Sequence, residues 1–580
     1  MIPAANGVAP AGRVVERAQL QDLLWLGLAV LLVVGTGLGT RMPWPADEPR
    51  FVLIARDMVL TGDWLFPRIG GDLYADKPPV FFWLLALGYA LTGSIRASFL
   101  VPSFVAACTV VALVYDLGRR LFGRIAGLAG ALMLAFCVQF GLTMRGAQID
   151  PVLCGLTTLS MYGLLRHLLL GPAWGWYFVG GLAAGVGVVT KGVGFLPLLV
   201  FIPYALMRAR GFAGLARIEG GARWALVVPA FLLGVAIWLM PMLVAVATRN
   251  DPNLVAYRDE ILFQQTVERY ASAWHHVKPW YYFLTEVIPP LWLPLSVLLF
   301  WLVPRWIGAF RERDARVGLP LAWVLLTLLF FSLSAGKRGV YIFPALPITA
   351  LAAAPFLPTL FQRKGVQRVS LALGAVLVLG ALAVLVMDTV VGDQRLRNTL
   401  NEAGVDSLAP VSIFAALGLL AWLVCAWKRP VLAWPTVFAT LAVVWSYGIA
   451  PRIDGERSAS TFTREMLAQV PPGTDLGLMA YKEQFLLYLD RPVVNFGHAR
   501  WREGSQEAYD ASAWLNAAPG RTLLIPESAV SPCFEHAQRQ PAGTSSGDVW
   551  LLVTGAADDA CVRRGDLSRA LTYTPPRSTP

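Results

Sequence analysis

VSLALGAVLVLGALAVLVMDTV, residues Val369–Val390, holds one ionisable side chain, Asp388, close to its end. A run of about 18 or more such residues is long enough to cross the hydrocarbon of a bilayer as a helix. Leu20–Leu38 and Trp224–Ala247 read the same way. The rest of the chain agrees: of 580 residues 56% are hydrophobic and 15% charged, with mean hydropathy +0.57. Soluble proteins carry roughly 45–50% apolar and about 25% charged residues. The fold class is therefore an all-α polytopic membrane protein.

Net charge is +11 and the pI about 9.5. The excess sits in short loops: Arg119, Arg120 and Arg124; Arg208, Arg210, Arg217 and Arg223; Arg305, Arg311, Arg313 and Arg316; Arg363, Lys364 and Arg368; Lys428 and Arg429. That pattern is the positive-inside bias of a protein bathed in membrane lipids, not a nucleic-acid footprint. These loops are read as cytoplasmic, and loops of mixed charge as outside. The first outer loop, 41–96, sets Arg50, Arg56, Arg68 and Lys77 against Asp47, Glu48, Asp57, Asp63, Asp72 and Asp76; the second is 249–282.

Parity then makes the aromatic-rich block Val80–Leu91 a helix lying in the outer interface and Phe99–Leu117 a crossing. About thirteen spans are expected. The early ones are Leu20–Leu38, taken as a retained first span, then Phe99–Leu117, Ile125–Phe140, Val152–Leu170, Trp176–Val189, Phe195–Leu206 and Trp224–Ala247. The later ones are Ile288–Val303, Leu319–Leu333, Val340–Leu360, Val369–Val390, Val411–Ala426 and Val431–Ile449. An odd count divides the chain into a transmembrane part, 1–450, and an outside α/β domain, 451–580. In that tail a helix is expected at Thr461–Gln469 and strands at Arg521–Ile525 and Val549–Val553.

Transporters concentrate ionisable residues within their spans. Here they gather at outer span ends and in the two outer loops, which favours a site at the membrane–water interface. Asp47-Glu48-Pro49-Arg50 opens the first loop and Tyr74-Ala75-Asp76-Lys77-Pro78-Pro79 ends it. The Pro-Pro pair fixes the chain, holding Lys77 at headgroup depth either as a phosphate ligand or as a snorkelling lysine. Asp150 reads as an N-cap of the span beginning near Val152, or as a second carboxylate converging with Asp47. Lys191, Lys337 and Arg338 are basic residues in outer turns, where topology does not favour them; a lipid-linked phosphate accounts for all three. The second loop contains Gln265-Thr266, Arg269, and the pair His275-His276. Adjacent side chains diverge, so neither a metal site nor a cofactor is expected.

Taken together, Asp-Glu-x-Arg (47–50), Tyr-x-Asp-Lys-Pro-Pro (74–79), Thr-Lys-Gly (190–192), the Arg269 loop ending in Pro-Trp-Tyr-Tyr (279–282) and Ser-x-Ser-x-Gly-Lys-x-x-x-Tyr (332–341) resemble the aminoarabinose transferase family. It belongs to the dolichyl-phosphate-mannose–protein mannosyltransferase superfamily of type-C glycosyltransferases. The resemblance covers roughly Arg41 to Leu360. It implies the type-C fold, with an undecaprenyl-phosphate sugar donor and transfer of 4-amino-4-deoxy-L-arabinose to lipid A at the periplasmic face of the inner membrane. By motif, Asp47 matches the catalytic carboxylate, and Lys77, Arg269 and Tyr341 match residues that grip the carrier phosphate. Tyr74, Lys191 and Asp150 match other polar positions of the cavity, while Arg50 and Lys337 stand within matched motifs as substrate-binding candidates. Gln265-Thr266 stands where the family often has Glu-His, and Asp76 where it has Glu, and both departures weaken any metal site carried over.

In such a reaction an anomeric carbon–oxygen bond to phosphate breaks, and Lys77, Arg269 and Lys191 suit neutralisation of the leaving group. Asp47 acts as a base for a hydroxyl acceptor, or orients a phosphate acceptor and stabilises charge on the ring. The rival readings are a related transferase acting on protein or another glycan, a non-catalytic flippase or transporter, and a binding partner. Cys108, Cys137, Cys154 and Cys425 lie in apolar segments. Cys533 and Cys561 lie in the tail placed outside, where an oxidising compartment joins them as a disulfide, unless they are two separate buried thiols.

Overall fold

The computed structural model describes residues 11–262, 277–402, 404–497 and 505–575. Among them, eight helices are long and apolar enough to cross a membrane: Ile95–Phe122, Ile149–Leu170, Gly192–Ala209, Gly221–Arg249, Ala315–Leu333, Lys364–Val391, Ala409–Lys428 and Pro430–Gln469. Phe283–Leu291 and Leu295–Arg311 make a ninth if that bent pair, broken by 112°, is one span. Pro289, Pro290 and Pro294 crowd the break, and a proline can neither donate nor tolerate the preceding turn's carbonyl.

Of the roughly thirteen spans expected, up to nine meet that test of length and composition among the described residues. The remaining four apolar segments are helical but short, charged or interrupted. Ala11–Val33 has Arg13, Glu16, Arg17 and Asp22 in its first half. Ile125–Phe140 becomes Arg124–Ala135 followed by Val138–Thr143, and Trp176–Val189 becomes the 15-residue helix Trp174–Val188. Val340–Leu360 is not one span: a 3-10 turn at Gly339–Ile342 precedes the helices Ala345–Ala353 and Leu357–Phe361. All of Ala345–Ala353 is buried. Irregular backbone at membrane depth is tolerated where protein, not lipid, surrounds it.

Burial ranks the spans. Ile149–Leu170 is 83% buried and Lys364–Val391 17%, so the first lies at the centre of the bundle and the second at its edge. Glycine allows the central contacts: a Cβ at Gly185 would lie 2.1 Å from the Phe231 carbonyl, and one at Gly163 2.3 Å from that of Trp176. Small residues let helix backbones approach this closely.

Within the first polar loop a helix unforeseen from sequence, Glu48–Thr61, ends at Gly62 in the left-handed conformation. A short hairpin follows, β1 (Arg68–Ile69) with β2 (Asp72–Leu73), and then the helix Val80–Thr92, as expected.

The C-terminal region forms a six-stranded mixed sheet. Its strands are β3 (Leu476–Leu478), β4 (Val493–Asn495), β5 (Thr522–Pro526), β6 (Gln538–Ser545), β7 (Asp548–Thr554) and β8 (Leu571–Tyr573). Their order is β6-β7-β5-β3-β4-β8, with β3 parallel to β4 and β5. The expected strands at Arg521–Ile525 and Val549–Val553 are β5 and β7, and the expected helix is Ser460–Gln469. One face of the sheet packs around Trp514, Leu523 and Ile525 and encloses the Cys533–Cys561 disulfide, which is formed, with Cα atoms 5.6 Å apart. The other face shares one core with the first loop, where Phe51, Leu53, Phe81 and Phe82 join Phe485, Trp550 and Tyr573.

Candidate active site

The site is assembled at the start of two helices. Pro49 occupies the first turn of Glu48–Thr61, where its missing N–H costs nothing. Asp47 is the N-cap residue by position, yet its side chain accepts no cap hydrogen bond. Its neighbour Glu48 is buried and fully engaged: it pairs with Arg41, and its two oxygens accept from the backbone N–H of Trp44 at 2.8 Å and of Ala147 at 2.9 Å. Ala147 lies three residues before Asp150. One carboxylate therefore pins the Asp47 end of the loop to the Asp150 end of the central helix.

Around Asp47 stand Arg50 and Tyr74. Tyr74 is buried, and its hydroxyl accepts from the Arg50 guanidinium. Burial, reinforced by Asp76, pushes the Tyr74 hydroxyl well above the ordinary tyrosine range, so it keeps its own proton. Burial opposes the Arg50 charge, but Glu483, Tyr74 and Asp47 outweigh it and hold the guanidinium firmly protonated. Lys77 is half-buried and donates to the Asp76 carbonyl at 3.0 Å.

The second cluster is Asp150, Lys191 and Tyr341. The central helix begins at Ile149 with Gln148 at the cap, so Asp150 is not the N-cap but a first-turn residue. Its carboxylate accepts from Lys191 Nζ at 2.6 Å. Lys191 Nζ also sits 5.2 Å from the centre of the Tyr341 ring, a cation–π contact. Asp150 is thus the counter-anion of Lys191, where the sequence pointed to a lipid-linked phosphate.

Apolar packing draws the clusters together: Ala75 and Val80, which flank Lys77, share a core with Val189, next to Thr190-Lys191. A cavity of about 250 Å3 adjoins the second cluster, lined by Gln139, Thr143, Gln148, Leu291 and Arg338.

Lys337 behaves differently. It is buried, and its ammonium donates to the carbonyls of Lys278 (2.8 Å) and Ser334. Burial lowers its pKa. It clasps the segment before Trp280 to the turn that carries Tyr341. Arg269, with Gln265, Thr266, His275 and His276, lies outside the described residues. Among the described residues no three His, Cys, Asp or Glu side chains gather as metal ligands.

Sequence reasoning missed Glu483, which reaches Arg50 across 433 positions, and Asp454, which accepts from Met42 N at 2.8 Å, Trp44 Nε1 at 2.9 Å and Arg96 at 3.1 Å. Neither stands in a motif; nothing short of the folded chain brings them to the loop.

Residues 76–238 match the model of the dolichyl-phosphate-mannose-protein mannosyltransferase family. The chain is 32% identical over 432 residues to the undecaprenyl phosphate-alpha-4-amino-4-deoxy-L-arabinose arabinosyl transferase of Pseudomonas aeruginosa (strain UCBPP-PA14), covering 70% of this chain and 73% of that one. The chain belongs to that arabinosyl transferase family. A Pseudomonas fluorescens (strain Pf0-1) relative, named arabinosyl transferase 1, is 29% identical over 372 residues, and the match spans 61% of each chain. In three dimensions the chain is similar to the crystal structure of ArnT from Cupriavidus metallidurans bound to undecaprenyl phosphate. The TM-score is 0.70, with 20% identity, 94% of this chain and 98% of that one covered. At that identity the likeness establishes the shared fold, which spans the transmembrane helices and the C-terminal sheet alike.

Proposed function

We propose that this protein transfers 4-amino-4-deoxy-L-arabinose from undecaprenyl phosphate to a phosphate of lipid A at the periplasmic face of the inner membrane. Membership of the arabinosyl transferase family supports the donor and the sugar. The observation that supports the reading is the Glu48–Ala147 hydrogen bond, which ties the start of the Asp47 helix to the chain three residues before Asp150, itself paired with Lys191. In this reading one site holds carboxylates for the sugar and cations for a phosphate. Basic loops opposite the site support its sidedness, as does a disulfide in the 451–580 region, read as a periplasmic domain.

In this reading Lys77 and Arg269 bind the carrier phosphate, and Tyr341 completes the grip. The acceptor phosphate oxygen attacks the anomeric carbon as the bond to the carrier phosphate breaks, and undecaprenyl phosphate departs with the electron pair. An acceptor phosphate is already ionised near neutral pH, so no base is needed for it. Asp47 orients the acceptor and stabilises positive charge developing on the ring. Asp150 holds Lys191 in place against the Tyr341 ring. Lys337 serves substrate binding through the loop that it fastens behind Tyr341.

The test is reconstitution of the purified protein with undecaprenyl-phosphate-aminoarabinose and lipid A. Lipid A heavier by one aminoarabinose residue is the expected product. Unmodified lipid A, with sugar recovered on a protein or glycan acceptor instead, overturns the assignment.

A further inference from the structure

Glu483 opens a 3-10 helix, Glu483–Leu487, between β3 and β4. That turn is firmly anchored. Phe485 and Leu486 are fully buried in the core shared with Phe51, Leu53 and Ile54. The Leu486 carbonyl accepts from Arg56 at 3.4 Å, and Gln484 donates to Ser546 Oγ at 2.9 Å. The Glu483 carboxylate is thus presented from a fixed backbone toward the helix that begins beside Asp47.

Its partner there is Arg50. Nε and a terminal nitrogen of Arg50 both lie 2.8 Å from one Glu483 oxygen, with 23% and 13% of the two side chains exposed. Charge-assisted bonds shielded this far from water hold geometry well. Arg50 is also within Coulomb reach of Asp47, three residues earlier, the spacing at which side chains on a helix meet. Were Glu483 neutral, Asp47 would be the carboxylate left to attract Arg50. A carboxylate drawn into that pair is no longer aimed at the sugar.

We propose that Glu483, carried by the C-terminal sheet, is a positioning residue for the transfer reaction: by holding the Arg50 guanidinium it keeps the Asp47 carboxylate directed to substrate. This rests on the transferase reading above. It makes the C-terminal region part of the catalytic apparatus, so that the sheet and the transmembrane helices act as one unit.

The experiment uses the full chain in proteoliposomes, with kcat and donor KM measured separately and melting temperature recorded. Glu483→Gln is expected to lower kcat about tenfold, the loss typical of one charge-assisted bond, while donor KM holds. Glu483→Asp recovers part of the loss, and Glu483→Gln adds nothing in an Arg50→Gln background, because both act through one contact. Lys482→Ala, which removes a half-exposed pair with Asp548, retains parental turnover.

Parental kcat in Glu483→Gln overturns the proposal. So does a further loss in the Arg50→Gln background together with a lowered melting temperature, which marks Glu483 as a docking residue alone. If Glu483→Gln does not fold, Glu483→Asp decides: reduced kcat at parental melting temperature supports the role, and parental kcat removes it. A parent protein that transfers no sugar sinks the functional reading and this inference with it, whereas an active parent indifferent to Glu483 sinks the inference alone.

Discussion

The Lys191 ammonium lies 2.6 Å from the Asp150 carboxylate and faces the Tyr341 ring. Three polar side chains, from the central helix, the 190–192 turn and the 3-10 turn Gly339–Ile342, thus meet at one point, and two of them neutralise each other. Only 22% and 12% of the paired side chains are exposed. Lys191→Met or Asp150→Asn alone should therefore destabilise the protein by about 1–3 kcal/mol, the cost of leaving a poorly solvated charge unpaired. The double variant should regain most of that stability without regaining turnover. Melting curves in detergent beside kcat check both; recovery of turnover in the double variant makes the pair structural only.

Asp47 and Glu48 are adjacent carboxylates in different surroundings: Glu48 is paired and hydrogen-bonded, Asp47 makes no cap bond, and the proposed mechanism gives the chemistry to Asp47. Asp47→Asn should cut kcat by about a hundredfold or more, as loss of one preorganised electrostatic group does. Melting should be unchanged, because the Asp47 side chain makes no cap bond. Glu48→Gln should do the reverse first: breaking a buried ion pair costs about 3 kcal/mol, and turnover falls as the two clusters separate. Equal melting losses in both variants would refute the division.

Lys77→Ala tests the phosphate grip. Removal of one charge-assisted bond costs roughly 1.5–3 kcal/mol, or about ten- to hundredfold in kcat/KM for the carrier. Near-parental rates at limiting donor concentration count against the role.

Cys533→Ser should destabilise the C-terminal sheet by about 3 kcal/mol, the chain-entropy value for a closed loop of this size, the two cysteines being 28 residues apart. Reductant should lower the parental melting temperature and leave that of the variant unmoved. Full maleimide labelling of both thiols in unreduced, denatured protein contradicts the bond.

Much of the fold is legible locally. Each apolar stretch of spanning length is mainly helical, whole or in pieces, because backbone groups away from water must be satisfied within the segment. The strands at 522–526 and 548–554 follow from short β-branched and apolar runs. Pro344, Pro347, Pro355 and Pro358 carry the warning against one span at Val340–Leu360, since proline breaks helical continuity.

The sequence by itself determined which segments are apolar, which loops are basic, and which motif residues are candidates for chemistry, since these depend on side-chain type and on spacing along a helix or strand. Only the tertiary structure decided that Asp150 holds Lys191, that Glu48 and not Asp47 is the structural carboxylate, that Lys337 clasps two carbonyls, and that Glu483 steadies Arg50 from the far end of the chain. The physical reason is range. Solvation and helical period act over a few residues, whereas a charge finds its partner through the packing of a shared core, in which Phe51 and Phe485 touch the same cluster despite the length of chain between them.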